Sequence, residues 1–225
     1  MTNNMRGAKD RMKLYTFWRS QAAFRVRIAL NLKGLAHDDT FINLDRGDQF
    51  KPEYKAQNPQ AVVPTLYDGN AKLFQSVAIL EYLEEKYPNP PILPKDLLAR
   101  AWVRGFALVN AADSHPLIVP RIRNYLANVL KVDEAGRSAW IQHWLGTGLQ
   151  AMEALLAEKN PSGQFCDGDS PTIADICLVT QVTPAQLFNT DLEPFKRVMR
   201  IHDACMAIPA FADAHPRKQP DFEGH

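Results

Sequence analysis

Three short stretches of this sequence put a hydroxyl, an amide or a constrained backbone where an anion could be held. Trp18-Arg19-Ser20 lies between an apolar strand-like run and an apolar helix-like run. The free N–H groups of a helix N-terminus, with the positive end of its dipole, favour negative charge there. A hydroxyl at Ser20 could donate to that charge. If the anion were a bound thiolate, its pKa would fall and it would be held ready as a nucleophile. The same serine also reads as a plain helix N-cap, the commoner role. Val63-Pro64 is the second stretch. A proline opening a strand belongs at a sheet edge or in a cis turn, and on local sequence trans is the commoner isomer. A cis bond would turn the Val63 N–H and C=O outward to pair with a ligand backbone. Gln75-Ser76 is the third stretch, where a hydroxyl and a side-chain amide at a helix start suit a carboxylate as well as they suit capping.

Other chemistry is sparse. The three cysteines, Cys166, Cys177 and Cys205, form no CxxC pair and no Cys/His set with zinc-ligand spacing, so no metal site is expected. They read as free thiols of a reducing compartment, with Cys177 a buried apolar residue inside Ile173–Val179. Thr172 and Asp175 read as a capping box that opens a buried helix. His115-Pro116 and the pair Arg121/Arg123 are candidates to face a cleft, with a solvated helix face as the plainer reading of the arginines. Phosphate loops, paired catalytic carboxylates and base-stacking motifs are absent from the sequence. A net charge of +1 gives no reason to expect nucleic acid or an anionic membrane as partner. No apolar run reaches membrane-spanning length, and Met1–Arg11 lacks the apolar core of a secretory signal. That leader reads as a tail ahead of structure beginning near Lys13, and the expected location is cytoplasmic.

The elements that must position these residues follow from patterning. Lys13–Phe17 reads as a strand, Phe24–Lys33 as a helix stopped by Gly34, and Asp39–Asn43 as a second strand. A weaker helix covers Gln49–Ala56. Asp68-Gly69 marks a hairpin between two short apolar runs, with Lys72–Gln75 as the return strand. Ser76 is expected to cap a helix over Val77–Lys86. This strand–helix–strand, helix, hairpin, helix order is a small α/β layer that brings both junctions and the proline turn to one sheet edge. Pro88-Asn-Pro-Pro-Ile-Leu-Pro94 is a stiff connector. Beyond it Leu97–Asp113, Arg121–Leu130, Ser138–Lys159, Ile173–Thr180, Leu192–Ala207 and Ala210–Ala214 carry helical patterning. The domains are therefore expected at 12–88, a linker at 89–96, and an all-α domain at 97–218.

Residues 17–34, FWRSQAAFRVRIALNLKG, resemble the opening of zeta-class glutathione transferases, the maleylacetoacetate and maleylpyruvate isomerase family. The signature there reads close to SSCSWRVRIAL. NPQAVVPTL, FQSVAILEYLEEKYP, GDSPTIADICLV and AFADAHPRKQPD are similar to that family in the same order, from about Lys13 to Asp221. The resemblance implies the glutathione-transferase fold: a thioredoxin-like α/β N-terminal domain followed by an all-α C-terminal domain. It also implies glutathione as cofactor and a homodimer. By the same resemblance, Val63 ahead of a cis Pro64 pairs with the cysteinyl backbone of glutathione. Gln75 and Ser76 hold its γ-glutamyl carboxylate, Gln49 reaches the glycyl end, and His115 is a contact from the helical domain. Ser20 stands beside the thiol.

Three departures from the family pattern bear on the substrate. Gln21 and Ala22 replace the second serine and the cysteine of the signature. Val119 stands for a ligand-contacting asparagine in a motif resembling DIHPLNNLRVL, and Leu187 stands for a substrate-binding arginine in one resembling QVANAERF. Arg19, with Ser20 as the second catalytic residue, and Arg121 are the cations left for a dicarboxylate substrate. The implied activity is glutathione-dependent cis–trans isomerisation of a maleyl keto acid, in aromatic amino acid catabolism. Conjugation of apolar electrophiles is the rival activity, and a glutathione-fold carrier without turnover the rival class.

Overall fold

The computed structural model describes residues 11–160 and 162–224, so of the Met1–Arg11 leader only Arg11 falls within them. The chain divides into two units, Met1–Pro90 with Asp213–His225, and Pro91–Ala212. The segment from Asp213 on thus belongs with the N-terminal unit, whereas patterning had assigned residues up to 218 to the helical part. The reason is a long-range one: the buried Arg27 side chain takes the Ala214 carbonyl, and Asp221 takes the Trp18 N–H.

The first unit is a four-stranded sheet in the order β2-β1-β3-β4, from β1 (Met12–Thr16), β2 (His37–Phe41), β3 (Thr65–Asp68) and β4 (Ala71–Phe74). β2 runs parallel to β1, while β3 and β4 are antiparallel to their neighbours. Met12, Leu14 and Thr16 alternate into the core as the two-residue period of a strand requires. Helix α1 (Gln21–Leu32) buries every residue from Ala23 to Leu30, including Arg25 and Arg27. It stops as expected at Gly34, whose φ of +62° lets the Leu35 N–H reach back to Leu30 O at 2.9 Å. The patch read as a weak helix is a 3-10 turn, Asp48–Phe50, followed by the short α2 (Pro52–Lys55). α3 (Ser76–Lys86) packs beside α1 and contributes Ile79, Leu80 and Leu83 to the core.

Two local expectations are corrected. The hairpin turn is Gly69-Asn70, since Asp68 still pairs with Ala71; Gly69 supplies the positive φ of +59° that a two-residue turn demands. Asp68 is left to accept from Tyr82, Lys86 and Tyr87 instead. Ser76 is the first residue of α3 and does not cap it; Gln75 occupies the N-cap position and makes no side-chain cap bond.

The second unit is helical among its described residues: α4 (Leu97–Leu108), α5 (His115–Ile118), α6 (Pro120–Asn128), α7 (Glu134–Lys159), α8 (Ile173–Leu187) and α9 (Lys196–Met206), with α10 (Pro209–Ala214) leading out of it. α8 is the central helix, buried on nearly all sides from Ile173 to Val182. Its capping box forms as expected, and Asp175 also accepts from the Cys166 N–H at 2.8 Å. That aspartate is structural. α4 does not run on to Asp113 but passes at Val109 into a π-helical turn through Ser114. The cause is polar: buried Asn110 donates to Gln181 Oε1 at 2.6 Å, and Gln181 Nε2 donates to Ser114 Oγ at 2.7 Å. All three cysteines are buried, and none is in a disulfide.

Candidate functional site

The strand register brings the three candidate segments of the first unit to one edge. Tyr15 pairs with Thr65, and Thr65 with Phe74, so these three residues form a row across β1, β3 and β4. The turn to Ser20 leaves just past Tyr15, Pro64 immediately precedes Thr65, and Gln75 immediately follows Phe74. Neighbouring strands lie roughly 5 Å apart, so the three segments are adjacent. β2 is parallel to β1 and pairs Thr16 with Phe41, so the loop leading to Gln49 leaves from the same edge. The N-termini of α1 and α3 both open there, adding two positive dipole ends to one small region.

Ser20 is the N-cap of α1, and its Oγ accepts from the Ala23 N–H at 3.2 Å. A hydroxyl that accepts in this way keeps its own proton to donate, so capping and anion binding are compatible. The Val63-Pro64 bond is cis. The turn is held from beneath: Tyr54 Oη donates to Val62 O at 2.7 Å, and Asn58 Nδ2 to the same carbonyl at 2.9 Å. Burial pushes the Tyr54 phenol up to about 12, against hydrogen bonds with Thr65 and Asn58, so it stays a neutral donor. Gln75 sits at φ +67°, unusual for a residue with a β-carbon, and its Nε2 donates to Gln60 Oε1 at 2.9 Å. Ser76 Oγ, buried, accepts from Arg25 Nε at 3.0 Å.

Gln49 is buried; its Nε2 donates to Leu44 O, while Oε1 has no hydrogen-bond partner among the described residues. Such an acceptor is complementary to an N–H donor. Arg19 lies over the Trp18 and Phe17 rings and donates to Asp45 Oδ1 at 2.6 Å. In the second unit, His115 is half-buried at the start of α5, directly after the π-helical turn, and Arg121 is exposed near the start of α6. Arg123 lies over the Phe188 ring. Val119 is the N-cap of α6, and Leu187, the last residue of α8, is about half exposed at 48%.

The family model for the glutathione S-transferase N-terminal domain matches residues 14–91. The maleylacetoacetate isomerase of Pseudomonas aeruginosa is 45% identical over 213 residues, covering 93% of this chain and 98% of that protein. The chain belongs to the zeta class of glutathione transferases. A solved maleylpyruvate isomerase, described as a bacterial glutathione S-transferase of the zeta class, superposes with a TM-score of 0.91 at 44% identity, covering 93% of this chain and 99% of that one. The maleylacetoacetate isomerase of Methylobacterium extorquens, solved with bound malonate and GSH, gives a TM-score of 0.90 at 44% identity, covering 92% of this chain and 98% of that one.

Within this zeta-class chain, sequence reasoning missed the residues that hold the segments in place: Arg25, Arg27, Tyr54, Asn58, Gln60 and Asp221. One signal was available for the arginines. In FRVRIALNLK they stand two apart, so they lie about 200° apart around a helix and cannot share one solvated face. Nothing local marked Asp221 as a partner of Trp18.

Proposed function

We propose that this protein is a glutathione-dependent cis–trans isomerase of a maleyl keto acid, maleylacetoacetate or maleylpyruvate. The observation that carries the reading is the row Tyr15–Thr65–Phe74, which sets a hydroxyl, a cis-proline turn and two helix N-termini side by side. The orphaned acceptor at Gln49 and the absence of a side-chain cap on α3 fit a ligand that brings both an N–H donor and a carboxylate. Glutathione, when bound, supplies a thiolate able to add reversibly to the maleyl double bond and so free it to rotate.

The roles of the chain's own residues follow. Ser20 donates a hydrogen bond from its hydroxyl to the sulfur, its proton staying on the oxygen, and so favours the ionised thiolate. The Val63 backbone pairs with the cysteinyl unit, Gln75 and Ser76 with the α3 N-terminus hold the γ-glutamyl carboxylate, and Gln49 receives the glycyl end. By the family resemblance His115 is assigned as a further glutathione contact. Arg19 and Arg121 supply positive charge for the substrate carboxylates and the oxygen on which charge develops. Arg19 is paired with Asp45, but both are partly exposed, and an exposed pair is worth at most about 1 kcal/mol, so exchange for a substrate carboxylate costs little.

A second reading has one observation in its favour. Leu187 and Val119 offer no charge or amide to a carboxylate, which suits conjugation of apolar electrophiles. Incubating the protein with glutathione and either maleyl acid decides the matter. Isomerisation above background at millimolar glutathione is expected; its absence, with conjugation of an aryl halide, selects the transferase. Glutathione binding with neither activity selects a carrier.

We also read the protein as a cytoplasmic homodimer. Three buried cysteines outside any disulfide fit a reducing compartment, and among the described residues no helix is long and apolar enough to cross a membrane. Phe50 and Phe74 in the first unit and Leu97 and Leu98 in the second stay exposed, as interface residues do before pairing. Light scattering at micromolar concentration should give the mass of a dimer.

A further inference from the structure

The turn that carries Ser20 runs from the end of β1 to the start of α1, and much of its polar backbone is held from outside the turn. Arg27, 2% exposed, donates through Nη1 to Thr16 Oγ1 at 2.9 Å and Phe17 O at 3.3 Å, and through Nη2 to Trp18 O at 3.1 Å. Its Nε donates to Ala214 O at 3.2 Å. The Trp18 N–H donates to Asp221 Oδ2 at 2.9 Å, and the Ser20 N–H to Phe17 O at 3.0 Å. The Trp18 ring meets Phe222 edge-on at 5.0 Å, Phe24 meets His215 at 6.0 Å, and Arg46 pairs with Glu223 at 2.8 Å.

A surface segment held only by packing frays. This one is tied down by groups that are costly to bury. Burial lowers the Arg27 guanidinium to about 10, with Asp221 and then Asp39 working against it. Burial likewise pushes the Asp221 carboxyl up, while the Trp18 N–H and Arg27 oppose it. Such groups are held in a fold by the hydrogen bonds they make, and here Arg27 and Asp221 Oδ2 both bond the backbone of the Ser20 turn, while Asp221 Oδ1 has no partner among the described residues.

We propose that the segment from Ala214 to Glu223 is a strap that sets the Ser20 turn, with Asp221 and Arg27 as positioning residues for the thiol. This rests on the role given to Ser20 above. Remove the Asp221 carboxylate and the Trp18 N–H loses its acceptor. The turn then gains freedom, and the Ser20 hydroxyl loses its fixed direction toward the sulfur.

The test uses full-length Asp221→Ala, Asp221→Asn and Phe222→Ala. Ile79→Val serves as a control, destabilised in the same unit without touching the turn. Amide hydrogen exchange is followed at Trp18 and Ser20 in the ligand-free protein, and the thiol of bound glutathione is titrated by its ultraviolet absorbance. Asp221→Ala is expected to speed exchange at Trp18 about tenfold, the loss of one bond to a charged acceptor, and to raise the bound thiol's titration midpoint. Asp221→Asn, which keeps an oxygen for the Trp18 N–H, should recover part of both, and Ile79→Val should change neither midpoint nor turn exchange. Wild-type exchange at Trp18 and Ser20 with an unmoved midpoint in Asp221→Ala overturns the strap. Should that variant not fold, Phe222→Ala is judged by the same criteria. A Ser20→Ala protein with an unmoved midpoint would sink the site reading itself. A shifted midpoint there beside an unmoved one in Asp221→Ala sinks only the strap.

Discussion

Arg25 Nε donates to Ser76 Oγ at 3.0 Å, both side chains buried and 51 residues apart in sequence. The helix that begins at the first junction thereby holds the hydroxyl of the second. Arg25→Lys cannot reproduce the fixed donor direction of a guanidinium. We expect it to weaken glutathione binding by about tenfold, the usual worth of a hydrogen bond from a charged donor. Calorimetry on Arg25→Lys, Ser76→Ala and the double variant checks it. Additive losses would mean the two residues act separately.

Ser20 both caps α1 and stands at the proposed thiol, and one substitution separates the roles. Glycine at an N-cap costs only a few tenths of a kcal/mol relative to serine, about a third of the loss to alanine. Ser20→Gly should therefore unfold close to wild type while the bound thiol titrates higher. A melting curve beside a thiolate titration reads both, and a Ser20→Gly thiol that titrates as in wild type would leave Ser20 a cap alone.

Lys33 uses all three ammonium donors, on Glu84 Oε2 at 2.8 Å, Tyr87 O at 2.8 Å and Pro90 O at 2.9 Å, with its side chain fully buried. Lys33→Met leaves Glu84 without that cation and should destabilise by about 3–5 kcal/mol. Lys33→Met with Glu84→Leu should recover a large part of the loss, because the buried carboxylate that lost this cation is then gone as well. Urea denaturation of the three proteins measures it.

Asp68 gives a pH signature of defined sign. Burial works against its charge, but hydrogen bonds from Lys86, Tyr87 and Tyr82 outweigh burial and hold the carboxyl below its ordinary range. Between the folded and unfolded pKa values the unfolded chain binds more protons, so this contribution is present above the unfolded value of about 3.9 and lost as pH falls through the folded one. Asp68→Asn should be less stable than wild type at neutral pH and show a smaller fall in stability on acidification. Denaturation midpoints along an acid series, wild type minus variant, isolate the group. A difference that does not shrink toward low pH would contradict it.

Leu187→Arg places at the end of α8 the charge that the family resemblance implies there. Because Leu187 is about half exposed, the longer side chain has room. The variant should lower KM for a maleyl dicarboxylate several-fold and reduce turnover of an apolar electrophile. An unchanged ratio of kcat/KM between the two substrates would remove Leu187 from substrate selection.

Most of the helices and strands were legible because their signals are local. Gly34 stops α1, Thr172 and Asp175 open α8, and the prolines from Pro88 to Pro94 mark where the chain changes unit. Errors of one residue, as at Gly69-Asn70 and Ser76, arose where two adjacent polar residues compete for one position. Only the paired strands decide which of them is last in the ladder. The π-helical turn before His115 was invisible for a similar reason, since Asn110 needs Gln181, 71 positions away, to make it stable.

By itself the sequence determined the element types, the candidate segments at Ser20, Val63-Pro64 and Gln75-Ser76, and the family. Those depend on residue types within a few positions of one another. Tertiary structure decided that these segments share one row of the sheet, that Arg25 and Arg27 are buried as internal ties, and that residues after Asp213 fold back onto the first unit. The physical reason is that a buried guanidinium or carboxylate is tolerable only beside its partners. For Arg27 and Trp18 those partners include residues 187 and 203 positions away, beyond the reach of any local pattern.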